Sequence, residues 1–137
     1  PGEFDKTELE QAAFIRMCAE ADNQIFLVAR LGDAVAGTLT FHGGQRSRTR
    51  HCGEFGMAVA RAFWGRGVGR ALLELLLEWG RAQPMLRRVW LRVRSDNVRA
   101  RALYESVGFQ AEGLLKGDQL VDGVEYDHVP MGLRVGP

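Results

Sequence analysis

The stretch Trp64-Gly65-Arg66-Gly67-Val68-Gly69-Arg70, followed directly by Ala71-Leu72-Leu73-Glu74-Leu75-Leu76-Leu77, decides the fold prediction for this chain. Glycines at alternate positions leave the first segment with little side-chain bulk, and the apolar second segment is long enough to form a helix. The first amides of a helix have no intrahelical partner and lie at the positive end of its dipole, so this junction predicts an anion-binding loop. The spacing does not fit the dinucleotide fingerprint G-x-G-x-x-G, and the G-K-[ST] ending of a nucleotide-triphosphate loop is missing. The loop therefore predicts a phosphate-bearing ligand that is bound in neither of those two ways.

The composition is that of one ordinary globular domain. With 137 residues, of which 46% are hydrophobic and 26% charged, the chain can bury a core without disulfides or a metal. A net charge of +1 argues against wholesale binding of nucleic acid. Cys18 and Cys52 have no metal-ligand spacing, which predicts reduced thiols and no metal site. Because there is also no run of ~18 apolar residues and no charged-then-apolar leader, we expect a cytoplasmic protein that does not bind a membrane.

The remaining pattern predicts the element order α-β-β-β-α-β-α-β-β. A capping box at Thr7–Glu10, followed by apolar residues at helical spacing through Met17, predicts an N-terminal helix. Period-two patterns and turn residues predict the strands. Caps and Pro84 delimit the two later helices. The elements expected after the first helix are strands Ile25–Ala29, Ala34–Phe41 and Glu54–Val59, a helix from Val68, strand Arg88–Ser95, a helix capped by Asp96-Asn97 that ends at Val107, and strands Phe109–Leu115 and Glu125–Val135 around a turn at Asp122-Gly123.

The polar connector Gly43–His51 carries a group of cationic or titratable side chains. It is interpreted as a solvated hairpin tip, with the alternative that it contacts an acidic partner or the adenine-side phosphate of the ligand. The side chains concerned are Arg46, Arg48, Arg50 and His51.

Asn97 and Tyr104 form the second informative pattern. They are seven residues apart on a predicted helix, so they project from nearly the same face, with the small Ala100 between them. Each residue alone has a structural explanation, Asn97 as a helix cap and Tyr104 as a half-buried aromatic. The two residues follow the phosphate loop with one short strand between, and as a pair they favour a binding face.

Strand Glu54–Val59, the glycine loop with its helix, and the pattern Asn97…Tyr104…Gly108-Phe109 resemble the GCN5-related N-acetyltransferase (GNAT) superfamily. The resemblance covers the chain from about residue 25 onward. It implies a single α/β (α+β) domain with a mixed, mostly antiparallel central sheet, splayed parallel strands at the cofactor site and helices on both faces. Family members usually begin with a strand and a helix that we expect to be absent from this chain.

The resemblance also implies acetyl-CoA as cosubstrate and a role for each site residue. The loop amides would bind the pyrophosphate, the strand before the loop would hold the pantetheine arm by strand-like hydrogen bonds, and Asn97 would help to hold that arm. Trp64 departs from the Gln or Arg that commonly begins the loop, but that position contributes mostly backbone and packing. The implied cofactor-binding residues are Met57, Val59, Trp64, Gly65, Arg66, Gly67, Val68, Gly69, Arg70 and Asn97.

Tyr104 matches the family's general acid, which protonates the departing thiolate of CoA. Glu54, near the start of the central strand, is the best candidate for the general base, or else it is a surface strand glutamate. His42, His51 and His128 are weaker candidates for the base.

The C-terminal segment gives a hint about the acceptor. Residues 117–128 resemble the ending of bacterial amino-acid and ribosomal-protein N-acetyltransferases, or they form a polar hairpin that happens to suit the fold. If the resemblance holds, Tyr126, Asp127 and the loop Asp118–Asp122 lie near the acceptor, where carboxylates favour a cationic amine.

We therefore predict direct transfer of an acetyl group, in a ternary complex, to an amino acid, a small amine or a peptide N-terminus. Neither cysteine lies in a motif, which argues against a covalent acyl-enzyme. The alternatives are a CoA-binding module that has lost turnover and acts as a sensor or interaction partner, and, least favoured, an RNA- or ribosome-contacting protein that uses its arginines. The sequence leaves open whether a second copy covers an exposed strand edge and makes a homodimer.

Overall fold

The computed structural model describes residues 2–5, 13–21 and 23–136. Within them, a nine-stranded sheet carries two α-helices, and a 3-10 turn at Arg61–Phe63 precedes the first helix. None of the helices in these ranges is long and apolar enough to cross a membrane. The elements are strands β1 Gly2–Asp5, β2 Ala13–Ala21, β3 Gln24–Leu31, β4 Ala34–Gly43, β5 Cys52–Val59, β6 Arg88–Arg94, β7 Gln110–Ala111, β8 Leu115–Val121 and β9 Val124–Arg134, with helices α1 Val68–Arg81 and α2 Val98–Ser106.

The sheet is mixed and mostly antiparallel, as predicted. Its strand order is β1-β2-β3-β4-β5-β6-β9-β7, and β8 pairs with β9. Only the β5–β6 pair is parallel among the described strands, because α1 carries the chain back across the sheet between them. The predicted strands Ile25–Ala29 and Ala34–Phe41, the central strand, both later helices and the turn at Asp122-Gly123 are confirmed.

The predicted N-terminal helix is wrong where the structure can be compared with it. Residues 13–21 form β2, which pairs antiparallel with β3, while the capping box Thr7–Glu10 lies outside the described residues. The apolar positions that suggested a helix also fit a period of two through Ala13, Ile15 and Met17. Ile15 is 0% exposed. The segment forms a strand rather than a helix because it pairs with β3, which is a non-local interaction that the apolar spacing does not report.

The predicted strand Phe109–Leu115 is divided in the structure. Gln110–Ala111 pairs with β9, the chain then leaves the ladder, and it returns at Leu115 as β8. Pro130 of β9 accepts a hydrogen bond from the Glu112 amide at 2.8 Å. It has no N–H with which to return that bond, so the ladder cannot continue there.

Both described helices pack on the same face of the sheet. Phe41 and Phe55 are directly opposed in β4 and β5 and therefore share a face. Trp79 of α1 contacts Phe41 with ring centroids 5.7 Å apart, and Tyr104 of α2 contacts Phe55 at 5.9 Å. The expectation of helices on both faces is thus met on one face only, within the described residues. We call the other side the open face; it carries the alternate residues of β5 and β6, namely Glu54, Gly56, Ala58, Trp90, Arg92 and Arg94.

Candidate active site

A slot opens where β5 and β6 separate. The two strands pair only over Cys52–Glu54 and Arg88–Trp90. The Ala60 amide donates to the Ala36 carbonyl at 2.8 Å, so the alternation of the antiparallel ladder turns the backbone N–H and C=O groups of residues 55, 57 and 59 away from β4. The strands no longer pair beyond Glu54 and Trp90, so both backbone groups of Met57 and the N–H of Val59 face the slot as a strand edge without a partner strand. This confirms the splayed parallel strands expected from the resemblance.

The slot is the floor of a cavity of about 680 Å³. Residues from β5, the glycine loop, α1, β6 and α2 line it. Of the predicted site residues, Glu54 and Arg66 are not part of this lining, and the Arg66 guanidinium instead lies 5.5 Å from the Phe63 ring. The predicted residues that do line the cavity are Met57, Val59, Trp64, Gly65, Gly67, Val68, Gly69, Arg70, Asn97 and Tyr104.

The glycine loop presents free amides to the cavity. Gly67 is the N-cap of α1 in the left-handed conformation, with φ 80°, and its carbonyl accepts the first helical hydrogen bond, from Ala71. The three amides before Ala71 therefore have no intrahelical partner, and the first turn has no acidic residue. Such an end attracts an anion through both its amides and its dipole. The local geometry agrees with the anion-binding loop predicted from the glycine spacing.

The helix α2 closes one side of this loop. A Cβ at Gly69 would lie 3.0 Å from a methyl group of Leu103, so a glycine is what allows the two helices to approach this closely. The Arg70 guanidinium also donates to the Ser106 hydroxyl at 2.6 Å. These contacts fix the position of the phosphate loop relative to the face that carries Tyr104.

Trp64 does more than the packing expected from its position. Its indole N–H donates to the Val59 carbonyl at 2.9 Å, and the guanidinium groups of Arg61 and Arg99 lie 5.1 and 4.6 Å from its ring centroid. The side chain thereby ties the glycine loop to the end of the β5 edge. Sequence reasoning missed this contact because no local pattern reports which acceptor an indole N–H will reach. Val59 keeps its N–H for a ligand, while its carbonyl is already engaged.

Asn97 and Tyr104 both line the cavity. The Asn97 side chain caps α2 by accepting a hydrogen bond from the Ala100 amide at 3.1 Å. Tyr104 is 6% exposed, and its ring meets those of Phe55 and Phe109 edge-on. In the described part of the chain no buried side-chain oxygen lacks a partner and no hydrogen bond engages the Tyr104 hydroxyl, so this hydroxyl opens onto the cavity.

Burial changes the acidity of Tyr104. Removal from water penalises the phenolate and raises the pKa of Tyr104 to about 12. The phenol is therefore protonated throughout the neutral and mildly basic range. In that form it can act as a general acid but not as a general base.

Glu54 is at the vertex of the slot, but on the open face. Its carboxylate accepts two hydrogen bonds from Arg92, at 2.8 and 3.4 Å. This contact raises the pKa of the Arg92 guanidinium above its ordinary value. Glu54 and Tyr104 thus lie on opposite faces of the sheet, with the slot between them. Arg92 lines the cavity although the sequence reasoning did not place it in the site. It does so because β6 diverges from β5 after Trp90.

The β8–β9 hairpin adds polar groups to the open face. Asp118 lies 3.5 Å from the Arg92 guanidinium and 2.8 Å from Nδ1 of His128. The Tyr126 ring lies 3.8 Å from the guanidinium of Arg94, a second cavity residue. Of the hairpin residues singled out in the sequence, Asp118 and Tyr126 are therefore brought beside the slot through the two arginines of β6. The Asp127 carboxylate instead accepts a hydrogen bond from the Gly117 amide at 2.9 Å.

No cluster of three or more histidine, cysteine or acidic side chains suited to a metal ion occurs in residues 2–5, 13–21 and 23–136.

Comparison with known proteins agrees with this architecture. The model of the acetyltransferase (GNAT) family matches residues 2–109. N-alpha-acetyltransferase RimI of Mycobacterium tuberculosis is 37% identical over 114 residues, which are 83% of this chain and 69% of that protein. The L-amino acid N-acetyltransferase AaaT of Escherichia coli is 35% identical over 101 residues, which are 74% of this chain and 62% of that protein.

A solved structure shows the same arrangement in three dimensions. The GNAT-family acetyltransferase from Streptococcus pneumoniae superposes with a TM-score of 0.81 at 35% identity, covering 84% of this chain and 69% of that one. The family match spans the strand, the glycine loop and the α2 face that build the cavity. This chain belongs to the GNAT family of acetyltransferases.

Proposed function

We propose that this chain transfers the acetyl group of acetyl-CoA to a primary amine, by direct attack of the amine in a ternary complex. The observation that carries the proposal is the unpaired β5 edge, which ends at the free amides of α1 and passes beside the Tyr104 hydroxyl. The β5 edge would bind a pantetheine arm, the amides of α1 would bind a pyrophosphate, and the Tyr104 hydroxyl would lie beside a thioester. A volume of about 680 Å³ suits a ligand of that size.

The chain's own residues would hold the cosubstrate mainly through backbone groups. The amides from Gly65 to Arg70 would bind the pyrophosphate. Met57 and the N–H of Val59 would pair with the pantetheine amides. Asn97, whose carbonyl oxygen caps α2, has its amide N–H groups left for the arm. When bound, acetyl-CoA supplies an electrophilic acyl carbon and a thiolate leaving group.

Tyr104 is proposed as the general acid. As the amine nitrogen bonds to the acyl carbon and the carbon–sulfur bond breaks, the phenol would give its proton to the departing sulfur. A thiol is the stronger acid in solution, so this transfer requires the phenol and the sulfur to be held in contact. The edge-on packing of the Tyr104 ring against two phenylalanines provides that fixed position.

Cys18 and Cys52 support direct transfer. Both are free thiols and neither lines the cavity, so no cysteine is placed to take the acetyl group covalently. Reduced thiols also suit the cytoplasmic setting that we propose.

Glu54 is proposed to accept the ammonium proton of the acceptor through water. Glu54→Gln keeps an acceptor oxygen for Arg92 and removes the basic carboxylate. We expect kcat/KM for the amine to fall by about 10²-fold near pH 7. The deficit should narrow at higher pH, because more of the amine is then already neutral in solution.

The matched control for Glu54→Gln is Glu112→Gln. Glu112 makes a similar two-pronged ion pair with Arg88 on the same sheet, away from the cavity, so its loss should leave turnover near the wild-type value. Wild-type kcat/KM for Glu54→Gln between pH 7 and pH 9 would exclude Glu54 as the base. The candidate base would then be His128, whose ring is oriented by its contact with Asp118.

The pH dependence follows from the two proton transfers. Activity should rise with pH as the acceptor amine loses its proton. It should show no falling limb up to about pH 10, because the pKa of Tyr104 is raised to about 12 and the acid stays protonated. The measurement is kcat/KM from pH 6 to pH 10 with acetyl-CoA saturating. A fall in rate centred near pH 9 would show that the proton donor is not this buried phenol.

The acceptor is proposed to be an amino acid, a small amine or a peptide N-terminus. RimI is named for acetylation of an N-alpha amine and AaaT for L-amino acids. Glu54 and Asp118 share the single guanidinium of Arg92, and the net negative charge that remains on the open face would attract an amine that arrives as a cation.

The test is incubation of acetyl-CoA with free L-amino acids, glycinamide and an alanine-initiated hexapeptide, with the acetylated product detected by mass. Tight CoA binding without any product would instead favour the sensor or interaction module.

The arginines do not favour an RNA-binding surface. On β6, Arg88, Arg92 and Arg94 are each paired with a carboxylate. The connector arginines lie at the other end of the eight-residue β5 from the glycine loop, about 23 Å away. At that distance the connector would not reach the phosphates of a cofactor bound in the slot. This favours its interpretation as a solvated hairpin tip.

A further inference from the structure

Gly56 has no conformational or packing reason to be a glycine. It is in the interior of β5, where a glycine weakens a strand. Its φ is not in the positive region, and apart from its two chain neighbours no described residue has an atom within 4 Å of the place where a Cβ would stand. Two other strand glycines differ: a Cβ at Gly37 would lie 3.0 Å from the Ala58 carbonyl, and one at Gly53 would collide with the Phe41 ring. Within the described residues, the space over Gly56 is therefore empty.

The empty space lies where the cavity reaches the open face. Gly56 alternates with Phe55 and Met57, so a side chain there would point away from the helices. Gly56 lines the cavity together with Arg92 and Arg94, which are residues of the open face, while Tyr104 lines it from the helix face. The cavity thus passes through the sheet between the separated strands, and Gly56 is at its exit.

The polar groups around this exit suit an amine. Glu54 precedes Gly56 by two residues on the same face, and Asp118 is joined to Glu54 through Arg92. On the β4 side, the residue paired with Gly56 is Thr40. These two carboxylates share the single guanidinium of Arg92, so the three groups together leave one net negative charge for a cation that approaches over Gly56.

We propose that Gly56 is the acceptor window of this enzyme, the gap through which the amine reaches the acetyl group. The missing side chain makes room for a substituent on the carbon that bears the amine. The acceptor class this predicts is a primary amine with a branched α-carbon, as in an amino acid or a peptide N-terminus, in addition to unbranched amines. This inference rests on the function proposed above. A closely approaching ligand is one of the established reasons for a glycine inside a strand.

Two variants test the window, Gly56→Ala and Gly56→Val. For Gly56→Val we expect kcat/KM for the alanine-initiated hexapeptide to fall by about 10²-fold, because the new side chain displaces the amine from its line of attack. The loss for glycinamide should be about tenfold or less, since its α-carbon is unbranched. The dissociation constant of CoA, measured by calorimetry, should not change. Gly56→Ala should melt about 2 °C higher than the wild type, as expected for a glycine that is replaced without strain.

The matched control is Ala58→Val. Ala58 is exposed on the same face of the same strand, two residues further on, and it does not line the cavity. It should therefore keep the wild-type kcat/KM for both amines and the wild-type affinity for CoA.

Three results would overturn the window. Wild-type kcat/KM of Gly56→Val for both amines would show that no acceptor passes over Gly56. A tenfold rise in the CoA dissociation constant, with equal losses for the two amines, would assign the glycine to the cosubstrate instead. Failure of the wild-type chain to acetylate any amine would overturn the proposed function, and the window with it.

Discussion

Replacing Tyr104 by phenylalanine is expected to lower kcat by about 10²-fold or more, while the affinity for acetyl-CoA stays unchanged. The substitution removes only the hydroxyl that opens onto the cavity. The ring keeps its edge-on contacts with Phe55 and Phe109, and α2 keeps its cap. Because that hydroxyl has no hydrogen bond within the described residues, its loss leaves no buried group unpaired, and the melting temperature should stay close to that of the wild type. The measurements are steady-state kinetics and calorimetric titration of CoA.

Tyr126→Phe is the control for this prediction. Tyr126 is the other tyrosine of the chain, and its ring packs on Arg94 on the open face. Phenylalanine retains that packing, so any effect should be confined to the KM of the amine. If Tyr104→Phe turns over at the wild-type rate, the proton reaches the sulfur from another donor and Tyr104 has no part in the chemistry.

Gly67→Val is expected to weaken acetyl-CoA binding by about 10²-fold or more. A β-branched residue is strongly disfavoured at φ 80°, so the loop must rearrange and the amides at the start of α1 lose their common direction. The loss of two hydrogen bonds to a charged pyrophosphate accounts for a change of that size. Calorimetric titration of CoA measures it directly, without reference to the acceptor.

Gly123→Val separates loop geometry from general destabilisation. Gly123 has φ 79° in the β8–β9 turn, nearly the same φ as Gly67, and apart from its chain neighbours no described residue lies within 4 Å of the place where its Cβ would stand. The two variants should therefore lose similar stability, while only Gly67→Val should lose CoA. Equal CoA affinity in both variants would contradict the assignment of the glycine loop to the pyrophosphate.

The sequence by itself determined the elements whose signals are local. Glycines at alternate positions and an apolar stripe predicted the loop and α1, and an asparagine cap predicted the start of α2. Alternation predicted β5 and β6, and Asp122-Gly123 predicted the last turn. Each of these features depends on dihedral preferences or on hydrogen bonds within a few residues, so they can be inferred without knowledge of the rest of the chain.

Only the tertiary structure decided whether a segment that fits both patterns forms a helix or a strand, and which partner each side chain contacts. Residues 13–21 form a strand because β3 supplies the partner, although their apolar spacing also fits a helix. Arg92 engages Glu54, and Trp64 engages the Val59 carbonyl, across 38 and five positions of sequence. The slot beside Gly56 exists because β6 leaves β5 after Trp90. These contacts depend on where separate strands are placed relative to one another, and that placement is a property of the whole sheet rather than of any one segment.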